Sequence, residues 1–244
     1  MKGIILAAGK GTRLRPLTYA IPKPLLPVGG TPVVDYVMEN FVGCDHIKEL
    51  IIGVAYAQER IDAYMKHSKH GFSKVELVTT FGWETGGDLK CILHGKDIAE
   101  RIAVAYGDNI TNINLNEMLA FHKKEGALAT VALFEVPPED VSRFGIATMD
   151  GNKVKQFVEK PEKDVGSCLA NAGYYIIEPE AFEKLSFDKK KVEDTLFPAL
   201  AAEGKLSGYV WKPKHWLDIG TYSAYKKANR MTEEGIIAPL RKER

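Results

Sequence analysis

Through the first half of the chain, short apolar runs rich in β-branched residues alternate with stretches whose apolar positions recur every three or four residues. The runs at 2–7, 48–54, 75–80 and 101–106 have the length and composition of buried strands. Between them, Thr31-Pro32 reads as an N-cap followed by proline at the first helical position, opening a helix through Val33, Val34, Val37 and Phe41. Gln58 to His67 and Asp88 to Asp97 read as further helices. Strands separated by helices predict a mainly parallel sheet covered on both faces. From Asn114 the pattern changes: a helix to Lys124 leads to a β-rich run at 127–136, then to short strands near 144–149, 153–158, 170–177 and 207–211. Turn signals such as Asp150-Gly151-Asn152 predict antiparallel hairpins added to the parallel sheet. No repeat, low-complexity tract or polar linker interrupts the chain, so one domain is expected over 1–244, its halves 1–112 and 113–230 sharing one sheet, with 231–244 as a tail.

Composition narrows the class without naming a function. With 244 residues, 45% apolar and 27% charged, the chain can bury a full core like an ordinary globular protein. Lys+Arg 33 against Asp+Glu 32 leaves no net field for nucleic acid or an anionic membrane. Local basic pockets are expected instead. Cys44, Cys91 and Cys168 are odd in number, widely spaced and without a Cys-x-x-Cys pair, which predicts neither a disulfide framework nor a zinc site. The six histidines show no ligand spacing and none is assigned to a metal. The N-terminal apolar run is too short for a signal peptide, and no run approaches the roughly 20 residues of a membrane span, so a cytoplasmic address is expected.

Chemistry concentrates in the first twenty-seven residues. The strand Gly3-Ile4-Ile5-Leu6-Ala7-Ala8 runs into Gly9-Lys10-Gly11-Thr12-Arg13 and then Ile21-Pro22-Lys23-Pro24-Leu25-Leu26-Pro27. Glycines let backbone N–H groups approach a phosphate, and Arg13 and Lys23 add positive charge, so a polyphosphate site is predicted. A dinucleotide fingerprint is excluded because a helix must open directly after its turn, and Pro16, Pro22, Pro24 and Pro27 forbid a long one. A P-loop is excluded because Gly11 is followed by Thr12 and Arg13 rather than Lys-Ser/Thr. Either half of the motif alone reads more simply as a solvated Gly/Pro loop. Leu-Ala-Ala-Gly-Lys-Gly-Thr-Arg-Leu at 6–14 followed by Pro22-Lys23-Pro24, however, closely resembles the sugar-1-phosphate nucleotidylyltransferases. The resemblance extends to about Tyr225 without the left-handed β-helix domain of several longer relatives, which implies a short, stand-alone form.

That resemblance implies a Rossmann-like α/β fold: a mixed, mainly parallel sheet flanked by helices, with an antiparallel sugar-binding extension. It implies catalytic roles for Arg13 and Lys23 and nucleotide contacts from Leu6, Ala7, Ala8, Gly9, Gly11, Thr12 and Asp108. Thr85, Gly86 and Gly87 match the base-reading segment, although Glu84-Thr85-Gly86-Gly87 departs from the commoner Gly-Thr-Ala-Gly toward the Thr-Gly-Gly of some cytidylyl and uridylyl members. Asp108, after the strand at 101–106, and Asp218, in His215-Trp216-Leu217-Asp218, match the two acids that hold Mg²⁺; each could otherwise be a turn or helix cap. Gly145, Glu159-Lys160, Asn171 and Trp216 match the sugar-phosphate side; as plain sequence, Glu159-Lys160 would be an exposed hairpin pair. The expected reaction joins a nucleoside triphosphate to a sugar-1-phosphate, first of all glucose-1-phosphate with dTTP or UTP. Mannose-1-phosphate with GTP and glucose-1-phosphate with CTP are the alternatives. A non-catalytic nucleotide-sugar sensor is disfavoured because Arg13, Lys23, Asp108 and Asp218 are all present, and cytidylyl transfer to an alcohol phosphate because Glu159-Lys160 is present. Partners are then the two substrates, with no nucleic acid and no membrane, and with room for a homo-oligomer.

Overall fold

A computed structural model describes residues 1–68 and 70–238. In chain order the strands are β1 (Lys2–Leu6), β2 (Pro27–Val28), β3 (Thr31–Pro32), β4 (Glu49–Val54), β5 (Lys74–Thr79), β6 (Ile102–Tyr106), β7 (Asn109–Thr111), β8 (Ala129–Glu135), β9 (Gly145–Asp150), β10 (Lys153–Glu159), β11 (Leu169–Ile177), β12 (Leu206–Val210) and β13 (Trp216–Asp218). The helices are α1 (Leu17–Ala20), α2 (Val33–Val42), α3 (Gln58–His67), α4 (Thr85–Gly95), α5 (Leu115–Glu125), α6 (Leu196–Ala202) and α7 (Tyr222–Glu233). Nine strands form one sheet in the order β5-β4-β1-β6-β11-β8-β12-β10-β9. Its first four are parallel, as the β–α alternation predicts. At the seam β11 runs antiparallel to β6, and beyond it only the β12–β8 pair is parallel. The sheet curls there until β9 meets β11 through Leu169↔Ala147 and Ala170↔Ile146.

Neighbouring residues on a strand point to opposite faces, and here both faces are covered. Ile5, Ile52 and Tyr174 pack on the side of α2, α3 and α5, whereas Ile4, Ile51 and Tyr175 pack under α4 and α6. Fully burying one such side chain is worth about 1.5–3 kcal/mol, so the continuous apolar runs specify the three layers. A third cluster joins Leu14, Leu26 and Val28 to Leu217, Ile219 and Ala228, tying the N-terminal loop to β13 and α7.

Several expected boundaries move for local reasons. Thr31 is not the N-cap of α2: it pairs with Val28, Pro32 takes the cap position, and the Val33 N–H donates to the Leu26 carbonyl. By contrast Asn114 does cap α5, its side chain accepting from the N–H groups of Asn116 and Glu117, and Gly126 closes the helix in the left-handed region. The hairpin at Asp150-Gly151-Asn152 forms between β9 and β10. Of the expected tail, residues 231–233 complete α7 and Ile237 is buried in the third cluster, while residues 239–244 lie outside the described residues. No described helix is long and apolar enough to cross a membrane.

Candidate active site

The carboxyl ends of β1 and β6 form the floor of the site. The Ala7 N–H donates to the Gly53 carbonyl and the Gly107 N–H to the Leu6 carbonyl, which pins the strand ends while the chain leaves the sheet. Gly11 then takes φ 62°, a conformation that favours glycine, and starts the single 3₁₀ turn Thr12–Leu14 that carries Arg13. A second 3₁₀ turn, Lys23–Leu25, presents Lys23 from the opposite side. Between them lies a cavity of about 470 Å³ lined by Leu6, Ala7, Gly9, Gly11, Thr12, Arg13, Lys23 and Asp108, eight of the residues expected at the nucleotide. Glu84, from the segment expected to read the base, joins them, as do Gly107 and Gly220. Ala8 does not line it.

The two acids meet because two short strands cross the chain. β7 pairs with β13 antiparallel, setting Asp218 opposite Asn109, and the Ile219 N–H donates to the Asp108 carbonyl at 2.9 Å. Asp218 is thus the last residue of a strand, not a helix cap; Thr221 caps α7. Lys23 donates from Nζ to Asp108 Oδ2 and lies 3.7 Å from Asp218 Oδ1. A Cβ at Gly220 would stand 2.8 Å from Asp218 Oδ2 and 3.0 Å from the Arg13 guanidinium, so the backbone there passes close beside both charged ends. Burial first, and then the charge of Asp108, push the Asp218 carboxyl up to about 6 against the pull of Lys23 and Arg13. Although the side chain is 41% exposed, its Oδ1 is buried and accepts no hydrogen bond. An orphaned carboxylate oxygen beside a second acid is a donor set that fits one hard divalent cation completed by phosphate oxygens. Among the described residues no group of three or more side chains forms a metal site, so two carboxylates are what the protein offers.

Asp108 lines a second cavity as well, of about 200 Å³, and Asp218 joins it there. It gathers all the residues expected at the sugar phosphate: Gly145, Glu159, Lys160, Asn171 and Trp216. A bulge in β11 between Asn171 and Tyr175 opens the strand there, and the Ala172 carbonyl accepts from both Asn109 Nδ2 and Trp216 Nε1. Lys160 has φ +47°, about 1–3 kcal/mol of strain for a side chain of its kind, held by its N–H donating to the Phe144 carbonyl. Glu159 accepts from Lys191 Nζ at 2.8 Å. Burial opposes the charge of Lys191, yet the Glu159 carboxylate outweighs it and raises the amine above its usual range.

Sequence reasoning did not single out Lys191 and Glu193, and it expected Gly86 and Gly87 at the nucleotide. Glu193 is 5% exposed, and its Oε1 accepts from Tyr106 Oη, Asn171 Nδ2 and Tyr175 Oη. Burial pushes its carboxyl above the ordinary value, with the Tyr106 hydrogen bond opposing. Both residues arrive on an irregular segment, and in sequence Lys189-Lys190-Lys191-Val192-Glu193-Asp194 has no signal beyond a charge run. Thr85 lines the second cavity rather than the first. Gly86 and Gly87 line neither: they form the first turn of α4, three residues before the expected start, with their backbone against residues 188–192.

Against known proteins, residues 2–235 match the family described as nucleotidyl transferase. A probable glucose-1-phosphate cytidylyltransferase of Bacillus subtilis is 31% identical over 96% of this chain and 97% of its own. A putative mannose-1-phosphate guanyltransferase of Sulfolobus acidocaldarius is 30% identical over 94% of this chain, which spans only 62% of that protein. The structure of a putative glucose-1-phosphate thymidylyltransferase from Bacillus anthracis, in complex with sucrose, superposes with a TM-score of 0.84 at 25% identity, covering 96% of each chain. A phosphate-type loop, an acid pair at the strand ends and similarity over nearly the whole length of the Bacillus subtilis and Bacillus anthracis proteins agree: the chain belongs to the nucleotidyl transferase family and is an enzyme of the sugar-1-phosphate nucleotidyltransferase type.

Proposed function

We propose that the 470 Å³ cavity takes a nucleoside triphosphate, the 200 Å³ cavity a sugar-1-phosphate, and that an oxygen of the sugar phosphate attacks the α-phosphorus to give a nucleotide-sugar and pyrophosphate. The observation that carries this reading is that Asp108 lines both cavities, with Lys23 and Asp218 beside it, so the two substrates would meet at the most charged point of the cleft. A phosphate monoester has a second pKa near ~6 and is already largely anionic at neutral pH, so no side chain need take a proton. What remains for the protein is alignment and charge neutralisation. Arg13, Lys23 and the amides of residues 9–12 would bind the triphosphate and the leaving pyrophosphate, while Lys160 would hold the sugar phosphate in line and Glu159 and Asn171 its hydroxyls. Asp108 and Asp218 would hold Mg²⁺, which when bound supplies positive charge to the phosphate oxygens.

The pair expected first from the sequence, glucose-1-phosphate with dTTP or UTP, is one of several borne by the relatives, which also include cytidylyl and guanyl enzymes. Pyrophosphate release over a matrix of five triphosphates and four sugar-1-phosphates tests the reading. Release from one pair well above the others is expected, and no release from any pair in the presence of Mg²⁺ would refute it.

A further inference from the structure

The side of the second cavity formed by Lys191 and Glu193 has no secondary structure of its own, yet its side chains are closely placed. Lys191 reaches Glu159, and Glu193 gathers Asn171, Tyr106 and Tyr175. What holds the segment is the first turn of α4, which belongs to the other half of the chain. The N–H groups of Gly86 and Gly87 donate to the Lys190 carbonyl at 3.0 and 3.3 Å. Thr85 Oγ1 accepts from the Val192 N–H at 3.1 Å and donates to Glu193 Oε2 at 3.2 Å. The single hydroxyl therefore fixes both the backbone of the segment and the free oxygen of its buried acid.

We infer that Thr85 is a positioning residue for the sugar phosphate rather than a reader of the base: it sets the Lys191–Glu193 wall against which the sugar hydroxyls are recognised. This inference rests on the proposed placement of the sugar phosphate in the second cavity. Physically, Glu193 Oε1 is shared by three donors, and loss of the Thr85 hydroxyl would leave Oε2 and the Val192 N–H without partners in a buried place. The segment would then relax, moving Lys191 away from Glu159 and Glu193 away from Asn171. Tyr106 would be left without a fixed acceptor, and Asn171 would keep only the Tyr175 hydroxyl. The triphosphate cavity shares no residue with that wall and would keep its shape.

Thr85→Val removes the hydroxyl at nearly constant volume, and Thr85→Ser restores it. For Thr85→Val we expect KM for the sugar-1-phosphate to rise about tenfold, the loss typical of a buried hydrogen bond, with KM for the triphosphate and the ranking of bases unchanged. Thr85→Ser should stay close to wild type. Amide exchange read without turnover should show residues 190–193 exchanging about tenfold faster in Thr85→Val and not in Thr85→Ser. Equal changes in both KM values, an altered base ranking, or unchanged exchange at 190–193 would each overturn the inference. Absence of turnover in the wild type would instead refute the proposed reaction and its sugar-phosphate site, while the exchange data would still decide whether Thr85 holds the segment.

Discussion

Adding one methyl group at Gly87 separates a base-reading role from a packing role. An ideal Cβ on Gly87 would lie 2.1 Å from the Asp188 carbonyl oxygen and 3.1 Å from the Trp83 ring. A backbone oxygen cannot rotate away as a side chain can, so α4 or the 188–192 segment must shift by roughly 1 Å to reach a normal contact. Replacing glycine by alanine inside a helix gains about 0.8–1 kcal/mol, whereas overpacking typically costs 1–3 kcal/mol. The hydrogen bonds from Gly86 and Gly87 to the Lys190 carbonyl would stretch in the same movement, at about 1 kcal/mol each. A net loss of about 3 kcal/mol is expected, which for a domain of this size lowers Tm by about 6–12 °C. Displacing the Lys191–Glu193 wall by such a distance can cost up to about 10² in kcat/KM for the sugar-1-phosphate. Thermal unfolding together with a panel of four bases and two sugar-1-phosphates on Gly87→Ala checks this. The sequence alone predicts unequal losses among bases with the sugar profile unchanged; that result, with Tm unchanged, would refute the packing argument.

Asp108→Asn and Asp218→Asn are each expected to abolish turnover while the protein stays folded, as read by pyrophosphate release and melting. Because burial and Asp108 both disfavour the charged Asp218, the Asp218→Asn variant should melt no lower than wild type in EDTA. Arg13→Ala should lower kcat and kcat/KM together for every triphosphate, by about 10²–10³, whereas Glu159→Ala should chiefly raise KM for the sugar phosphate; steady-state kinetics showing the opposite pattern would reverse the roles. Acid should destabilise the fold through a network far from the cleft. His122 is buried, bonded to Thr130 and Glu178, and burial depresses its pKa, so its contribution is present above about 6.5 and lost as pH falls below it. For Glu178 burial works against the charge, but Arg101 and His122 outweigh it and lower the pKa, so its contribution is lost at still lower pH. Asp218 and Glu193, whose carboxyls are raised, favour the fold toward acid, so the check is the difference: the Tm of wild type relative to His122→Gln should fall as pH is lowered below about 6.5.

Local and repetitive features were readable from the amino-acid order. Continuous apolar runs marked β1, β4, β6 and β11 because a strand buried on both faces carries apolar residues without alternation. Asn114 and Gly126 marked the ends of α5 because caps act within one turn. The loop with Arg13, and Lys23 after it, was legible because backbone access to a phosphate demands glycines at fixed places. Asp108 and Asp218 were found by resemblance, but their meeting depends on β7 pairing with β13 about a hundred residues away, a contact no local pattern encodes. The same holds for the second cavity. Lys191 and Glu193 look like solvated charges in sequence and become part of the wall of the second cavity only because α4 offers two backbone donors and one hydroxyl to a segment about a hundred residues away. Gly86 and Gly87 show the converse, since glycine states only that something comes close. Whether that neighbour is a nucleobase or another stretch of backbone is decided by long-range packing, whose energy is collected only when the whole sheet has formed and both faces are covered.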